Sequence, residues 1–248
     1  MKILIIPDIH GRNFWKNPTE DMSQWDKVIF LGDYVDPYEG EAPTWEVIPN
    51  LQEIIALKEV YKDKVILLWG NHDLFYWCEP YRRELDHWSR HDYKRHDEIQ
   101  SIFIQHNELF QWAWQYDKFL FTHAGVNNSM AKLFVEEYGE ISADNINEFF
   151  SHKANQMLLA CVSWYRGGSE SFGSIVWADI QEHYGKTPIK QLQDMFQIFG
   201  HTYARVRIIT KYFAMLDTGD SWSYLENGIL RDEDNNKLKL IQLYDQGN

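Results

Sequence analysis

The sequence predicts an α/β fold, and three observations indicate it. Short apolar runs rich in branched residues end in glycine or proline, which is typical of strands buried on both faces of a sheet. A segment with apolar residues at helical spacing lies between two of these runs, and shorter runs that alternate with turns follow near the end of the chain. With 248 residues, of which 44% are hydrophobic, the chain can form a substantial core. We therefore expect one domain spanning residues 1–248.

The first half of the chain provides the strands of the predicted sheet. We expect these strands at residues 2–6, 27–31 and 64–69. A helix is predicted to begin at Thr44 and to cover the sheet, because Leu51 and Ile55 continue a stripe with a period of 3.6 residues. Pro49 is compatible with that helix only in or near its first turn.

The second half of the chain is predicted to be less regular. Residues 74–108 are rich in aromatic and basic side chains. We expect them to form a helical cap inserted into the domain, and the alternative is a pair of helices with a solvated face. A hairpin over residues 111–122 is expected to end at His123, and a helix is expected at about residues 145–161. Residues 205–244 are predicted to form antiparallel strands of a second sheet.

Composition excludes several classes of function. The formal net charge of -13 argues against stable binding of nucleic acid, which requires a basic surface. Cys78 and Cys161 are the chain's two cysteines and match no paired zinc spacing, which fits a reducing compartment. We expect no leader, because the first residues already enter a predicted strand, and no apolar run approaches the ~20 residues that span a bilayer. We expect a soluble, cytoplasmic protein that does not bind membranes.

Polar residues with metal-ligating side chains follow five of the apolar runs. The motifs are Asp8-Ile9-His10, Gly32-Asp33-Tyr34-Val35-Asp36, Gly70-Asn71-His72-Asp73, His123 and Gly200-His201. Ligands of open α/β sheets bind beyond the carboxyl ends of the strands, so we expect these residues to lie close together. Mixed oxygen and nitrogen donors suit Mn, Fe and Zn, and a pair of such ions can bind a phosphoryl group.

In order and spacing these five motifs resemble the calcineurin-like metallophosphoesterases. Within that superfamily, the segments Leu31–Asp36, Thr122–Val126, Phe199–Thr202 and Leu216–Gly219 are similar to the branch that holds serine/threonine protein phosphatases and symmetrical dinucleoside tetraphosphatases. The resemblance covers about residues 1 to 220. It implies a four-layer α/β/β/α sandwich with two central mixed sheets, and an enzyme that hydrolyses phosphate esters or anhydrides.

The resemblance also implies roles for individual residues. Two divalent ions, most often Mn but also Fe, Zn or Ni, would share Asp33 as a bridging ligand, and a hydroxide between them would attack phosphorus. The remaining implied ligands are Asp8 and His10 for one ion and Asn71, His123 and His201 for the other. His72 would protonate the leaving oxygen while paired with Asp36.

Departures from the family pattern concern the substrate. Pro37-Tyr38 replaces the Arg-Gly that usually follows the second aspartate, so the usual phosphate-binding arginine is missing, and Asp73 stands where glutamate is more usual. Another guanidinium is expected to bind the phosphate. The candidates are Arg12, Arg82, Arg83 and Arg166, with Arg90 and Arg95 also in the basic segment.

Three functions remain open from the sequence. The first is hydrolysis of phosphomonoesters, including phosphoproteins. The second is hydrolysis of dinucleoside polyphosphates or related nucleotides, with stacking by Trp77, Tyr81 or Trp88. The third, an inactive phosphate-binding module, is disfavoured because none of the implied ligands is replaced. The partner is thus a phosphorylated small molecule, nucleotide or phosphoprotein.

Overall fold

The computed structural model describes residues 1–85 and 90–239. The strands are β1 Lys2–Ile6, β2 Lys27–Phe30, β3 Val65–Leu68, β4 Phe110–Gln111, β5 Ala113–Tyr116, β6 Phe119–Thr122, β7 Phe196–Phe199, β8 Ile208–Ile209, β9 Phe213–Met215, β10 Ser223–Glu226 and β11 Ile229–Asp232. The helices are α1 Lys16–Thr19, α2 Val47–Tyr61, α3 Asn71–Trp77, α4 Glu79–Leu85, α5 His96–Gln105, α6 Asn128–Tyr138, α7 Ala143–Ser151, α8 Lys153–Gln156 and α9 Lys190–Gln193.

Two mixed sheets organise the molecule. The first has the strand order β11-β10-β1-β2-β3-β4, in which β1 to β4 are parallel and β10 and β11 are antiparallel. The second has the order β5-β6-β7-β9-β8, in which β6, β7 and β9 are parallel and the outer strands are antiparallel. The predicted α/β fold with two mixed sheets is therefore confirmed.

Alternating side chains of the strands build two cores. Ile3 and Ile5 of β1 face the second sheet and meet residues such as Phe121 and Ile198. Leu4 and Ile6 belong to the other core, which contains the buried face of α2. Because successive residues of a strand point to opposite faces, a continuous apolar run is required here, and this explains the patterns that predicted the strands.

Two predicted helices differ from the structure. The helix predicted from Thr44 begins at Val47, which leaves Pro49 in its first turn, where a missing N–H is tolerated. The helix expected over residues 145–161 is α7 followed by a break at His152, the single turn α8 and a 3₁₀ helix at Met157–Ala160.

The strands expected in residues 205–244 are divided between the sheets. β8 and β9 join the second sheet, whereas β10 and β11 extend the first, where Leu225 and Leu230 fill the core between the sheets. The assignment to a second sheet is therefore confirmed for β8 and β9 and wrong for β10 and β11, because pairing of β10 with β1 depends on contacts across the whole chain. The part of that prediction beyond residue 239 lies outside the described residues.

The segment 74–108 contains most of α3, then α4 and α5, within its described part. Tyr76 and Phe103 are fully buried, and the ring of Trp77 lies 5.3 Å from that of Trp69 at the end of β3. The segment thus packs directly beside the carboxyl end of β3. Among the helices of the described residues, we find none with the length and apolar character needed to cross a membrane.

Candidate metal centre

The candidate ligands lie at the carboxyl ends of strands from both sheets. Asp8 and His10 follow β1, Asp33 follows β2, and Asn71 follows β3; His123 follows β6 and His201 follows β7. Parallel strands present their carboxyl ends at one edge, and the two sheets pack face to face, so ligands from both sheets can converge. The structure brings the six residues together and buries every one of them.

Two groups of ligand atoms share one carboxylate. Asp8, His10 and Asp33 form one group, and Asp33, His123 and His201 form the other, with the atoms of each group within 4.8 Å of one another. Asp33 Oδ2 lies 3.6 Å from His10 Nε2 and 3.5 Å from His123 Nε2. The geometry therefore offers two adjacent positions for cations with Asp33 between them.

Backbone carbonyls orient two of the imidazoles. His10 Nδ1 donates to the carbonyl of Val35 at 2.9 Å, and His123 Nδ1 donates to the carbonyl of Leu31 at 2.8 Å. In the neutral ring, the proton on Nδ1 leaves Nε2 with a free lone pair that faces Asp33. Burial lowers the pKa of His10 to about 3 and also lowers the pKa of His123 and His201. Neutral imidazoles are the form that binds metal.

The donor atoms of the second group fit a cation. His123 Nε2 lies 3.1 Å from His201 Nδ1 and 3.0 Å from Asn71 Oδ1, so several lone pairs face each other. In the first group, burial and then the charge of Asp33 raise the pKa of Asp8 to about 7. A positive ion would relieve both the crowding of lone pairs and the repulsion between carboxylates. Oxygen and nitrogen donors in this mixture suit Mn, Fe or Zn.

Glycines let the ligand turns approach one another. A Cβ at Gly70 would lie 2.2 Å from both the backbone nitrogen and Oδ1 of Asp33, and one at Gly200 would lie 2.3 Å from Asp8 Oδ1. Both glycines are therefore required for close packing against a carboxylate, as expected where backbone approaches a ligand group. This explains the glycine that precedes the ligand in Gly70-Asn71 and in Gly200-His201.

Asp73 fixes the bridging residue. Its carboxylate accepts hydrogen bonds from the backbone N–H of Asp33 at 2.9 Å, Tyr34 at 2.8 Å and Gly70 at 2.9 Å. One buried side chain thereby joins the turn after β2 to the turn after β3. The aspartate that stands where glutamate is more usual thus makes three hydrogen bonds to these turns.

His72 lies beside the ligands and is held by a carboxylate. His72 Nδ1 is 2.9 Å from Asp36 Oδ2, and the backbone N–H of His72 donates to Asp33 Oδ1 at 2.9 Å. The hydroxyl of Tyr76 donates to the other oxygen of Asp36. The sequence did not lead us to predict Tyr76 as part of the site, although its spacing of four residues from His72 on a helix places both on one face. The pair His72–Asp36 can hold and deliver a proton at Nε2.

Arg90 and Arg166 line the cleft that contains the ligands, which has a volume of about 440 Å³. Arg90 donates through Nε and Nη2 to the carbonyl of Asp36, at 3.1 and 3.0 Å, and its guanidinium lies 3.4 Å from the centre of the Tyr38 ring. Arg166 Nη2 donates to Thr202 Oγ1 at 2.6 Å, and Arg166 Nε pairs with Asp179 at 3.2 Å. Two positively charged guanidinium groups are thus fixed beside the candidate metal ligands.

The other candidate arginines have different positions. Arg12 is buried and donates to the carbonyls of Asp8 at 2.7 Å and Ile9 at 3.1 Å, so it supports the turn after β1. Arg82 and Arg83 lie on α4 and are not among the residues that line the cleft. A substrate-binding role for these three stays a prediction, and Arg90 is the arginine of the basic segment that reaches the cleft.

Comparison with protein families decides what this arrangement is. The profile of the calcineurin-like phosphoesterases matches residues 1–205. The chain belongs to that family. This confirms the resemblance inferred from the five motifs, and the protein is therefore a hydrolase of phosphoesters with a metal-binding site.

Solved structures share the fold at low sequence identity. A cold-active protein tyrosine phosphatase has a TM-score of 0.58 and 15% identity over 96% of this chain and 78% of its own. A protein serine/threonine phosphatase from Saccharomyces cerevisiae has a TM-score of 0.54 and 13% identity over 99% of this chain and 82% of its own. At such identities the likeness concerns the fold. A sequence search of curated proteins found no match.

Proposed function

We propose that this phosphoesterase is a dinuclear metal-dependent phosphomonoesterase. The observation that carries the proposal is the pair of ligand groups that share Asp33, with the His72–Asp36 pair beside them. Asp8, His10 and Asp33 would hold one ion, and Asp33, Asn71, His123 and His201 the other. Two divalent ions supply charge stabilisation for the phosphoryl group and lower the pKa of bound water. The mixed donors favour Mn, with Fe, Zn or Ni as substitutes.

The proton for the leaving oxygen would come from His72. Asp36 holds Nδ1 of His72, so the protonated ring presents its second N–H, at Nε2, to the cleft. Tyr76 occupies the other oxygen of Asp36 and keeps that carboxylate in place. An imidazole fixed in this way can act as a general acid, because its orientation toward the cleft is set in advance.

The substrate phosphoryl group would be bound by Arg90 and Arg166. Each guanidinium is anchored by a carbonyl, hydroxyl or carboxylate of the protein and lines the cleft. Arg90 belongs to the segment 74–108, which we propose to be a cap of the single domain. Arg90 would supply the positive charge that is missing at the position after Asp36, where this chain has Pro37. Guanidinium groups form strong, often bidentate hydrogen bonds with phosphate.

The alternative of a dinucleoside polyphosphate hydrolase gains no support from the residues first considered for stacking. Tyr81 is 1% exposed and its hydroxyl accepts a hydrogen bond from the indole N–H of Trp177, and Trp77 packs against other tryptophans. Trp88 lies outside the described residues. Cys78 and Cys161 are free thiols, which supports a reducing compartment such as the cytoplasm.

A comparison of substrates with good and poor leaving groups tests the proposal. The protein is stripped with a chelator, reloaded with Mn, and assayed on a nitrophenyl phosphate and an alkyl phosphate. His72→Asn should lower turnover of the alkyl ester by roughly 10² to 10⁴, lower turnover of the activated aryl ester less, and leave metal content unchanged.

The matched control is His106→Asn. His106 pairs with Glu59 at 3.4 Å and does not line the cleft. This variant should keep wild-type turnover of both esters. Equal losses on the two esters in His72→Asn, or loss of metal, would contradict the role of His72, and absence of any metal-dependent hydrolysis would contradict the proposed function.

A further inference from the structure

Exposed tyrosines surround the candidate metal centre. Tyr38, Tyr165 and Tyr203 line the same cleft as His72 and are 51%, 42% and 64% exposed. Removing a large exposed ring from water lowers the free energy, so a ligand that covers such a ring at the mouth of a site binds more tightly. The exposed rings therefore point to a substrate that covers them.

The segments that carry two of these tyrosines meet at Arg166. Tyr165 directly precedes Arg166 in the 3₁₀ helix Trp164–Arg166, and Tyr203 directly follows Thr202, whose hydroxyl accepts a hydrogen bond from Arg166 at 2.6 Å. Arg166 also donates to the carbonyl of His201 at 3.3 Å. The segments that carry both tyrosines thus meet at a guanidinium beside a candidate metal ligand. A group attached to a phosphate at Arg166 would be within reach of both rings.

The third ring is already partly occupied. Arg90 lies 3.4 Å from the centre of the Tyr38 ring, and the ring of His10 lies 5.8 Å away at a steep angle. Lys186 approaches Tyr165 at the longer distance of 5.5 Å, over one face. Tyr165 and Tyr203 are accordingly the rings that a substrate can cover most directly.

We propose that Tyr165 and Tyr203 form a subsite for a planar aromatic ring in the alcohol part of the substrate. This inference rests on the proposed phosphomonoesterase function and adds a substrate class to it. The shared chemistry is a phosphomonoester with a flat ring, whether the ring is the phenyl group of a phosphorylated tyrosine or the base of a nucleotide. The cleft volume of about 440 Å³ lies within the range usual for small ligands.

Stacked or edge-to-face contacts distinguish a flat ring from an aliphatic group of similar size. Each such contact is worth roughly a 2- to 10-fold gain in binding beyond the burial of apolar area. The gain belongs to binding, so it should appear mainly in KM while kcat changes little.

The test compares phenethyl phosphate with cyclohexylethyl phosphate on the Mn-loaded enzyme. Both release a primary alcohol, so they differ in the ring and not in the leaving group. The wild type should prefer the phenethyl ester in kcat/KM. Tyr165→Leu and Tyr203→Leu should each reduce that preference by roughly 2- to 10-fold, and the double variant should abolish it.

Tyr184→Leu is the control, because Tyr184 is 40% exposed and does not line the cleft. It should keep the wild-type preference. A wild type without a preference for the ring, or a preference that survives in the double variant, would overturn the subsite. A lower KM for phosphotyrosine than for adenosine monophosphate would assign the ring to a tyrosine side chain, and the reverse order of KM would assign it to a base.

Binding of the corresponding phosphonates, measured by calorimetry on the Mn-loaded protein, separates this inference from the proposed function. A phenethyl preference that disappears in the double variant supports the subsite even when no phosphate ester is hydrolysed, and the absence of hydrolysis would then count against the phosphomonoesterase alone. Hydrolysis of both esters with equal phosphonate binding would overturn the subsite alone.

Discussion

Replacing Gly70 with alanine should displace the bridging ligand without straining the backbone. Gly70 has φ −105° and ψ 171°, an extended conformation that alanine adopts freely. The added Cβ would, however, lie 2.2 Å from the backbone nitrogen of Asp33 and 2.2 Å from its Oδ1. Restoring an ordinary contact requires a shift of roughly 1 Å at Asp33. Asp73, which holds both turns, resists that shift.

The expected cost has two parts. Overpacking of this kind lowers the free energy of unfolding by about 1 to 3 kcal/mol. A misplacement of roughly 1 Å at a reacting centre lowers activity by about 10²-fold, and here it also weakens both ions because Asp33 belongs to both ligand groups. Mn titration by calorimetry, metal analysis and melting temperatures with and without a chelator would measure these effects.

Gly185→Ala is the matched control, because it should strain the backbone without crowding any neighbouring atom. Gly185 has φ +68° and nothing within 4 Å of an added Cβ. It should therefore lose about 1 to 2 kcal/mol of stability from backbone strain while keeping both ions. If Gly70→Ala binds two ions with wild-type affinity and keeps its melting temperature, the packing of the turn after β3 against Asp33 does not position the metals.

Three further changes test other parts of the site. Asp33→Asn should reduce occupancy of both ions together, and elemental analysis that finds one ion fully retained would contradict a bridging role. Arg90→Ala should lower kcat/KM by roughly 10- to 100-fold whereas Arg82→Ala should have little effect, and the opposite result would restore Arg82 as the phosphate ligand. Burial lowers the pKa of His183 from 6.5 to about 4, so the folded state binds fewer protons than the unfolded state between these values and the wild type loses stability as pH falls through them. Between pH 7.5 and pH 4, the free energy of unfolding of His183→Gln, measured by denaturant titration, should fall by up to about 3 kcal/mol less than that of the wild type. An identical fall in the two proteins would exclude this contribution of His183.

The ligand set could be predicted because its signals are local. Asp33 and His123 each come within three residues of the end of an apolar run, so strand prediction also places the ligand. Arg90 reaches the carbonyl of Asp36 across 54 residues, and nothing in the sequence near either residue specifies that contact. The same reason explains the wrong assignment of β10, which pairs with β1 at the other end of the chain.

The apolar periods predicted α2 but not its first residue. Thr44 has the side chain of a cap, yet the helix begins three residues later, where no side chain caps it. The start is set by packing of Val47 and Ile48 into the core. At α2 the buried residues Val47 and Ile48 therefore mark the start of the helix better than the capping side chain of Thr44 does.

Left-handed backbone conformations recur at the metal centre. His10, Asp33, Asp36 and His201 have positive φ values of 46°, 54°, 58° and 67°. Aspartate, asparagine and histidine are the non-glycine residues that tolerate this region best, so the turns and the metals favour the same small group of side chains. Asparagine at position 33 or 36 would keep the turn while it removes the charge. Loss of catalysis in a descendant of this protein therefore needs no loss of fold, and the scaffold is predisposed to give rise to folded, inactive relatives.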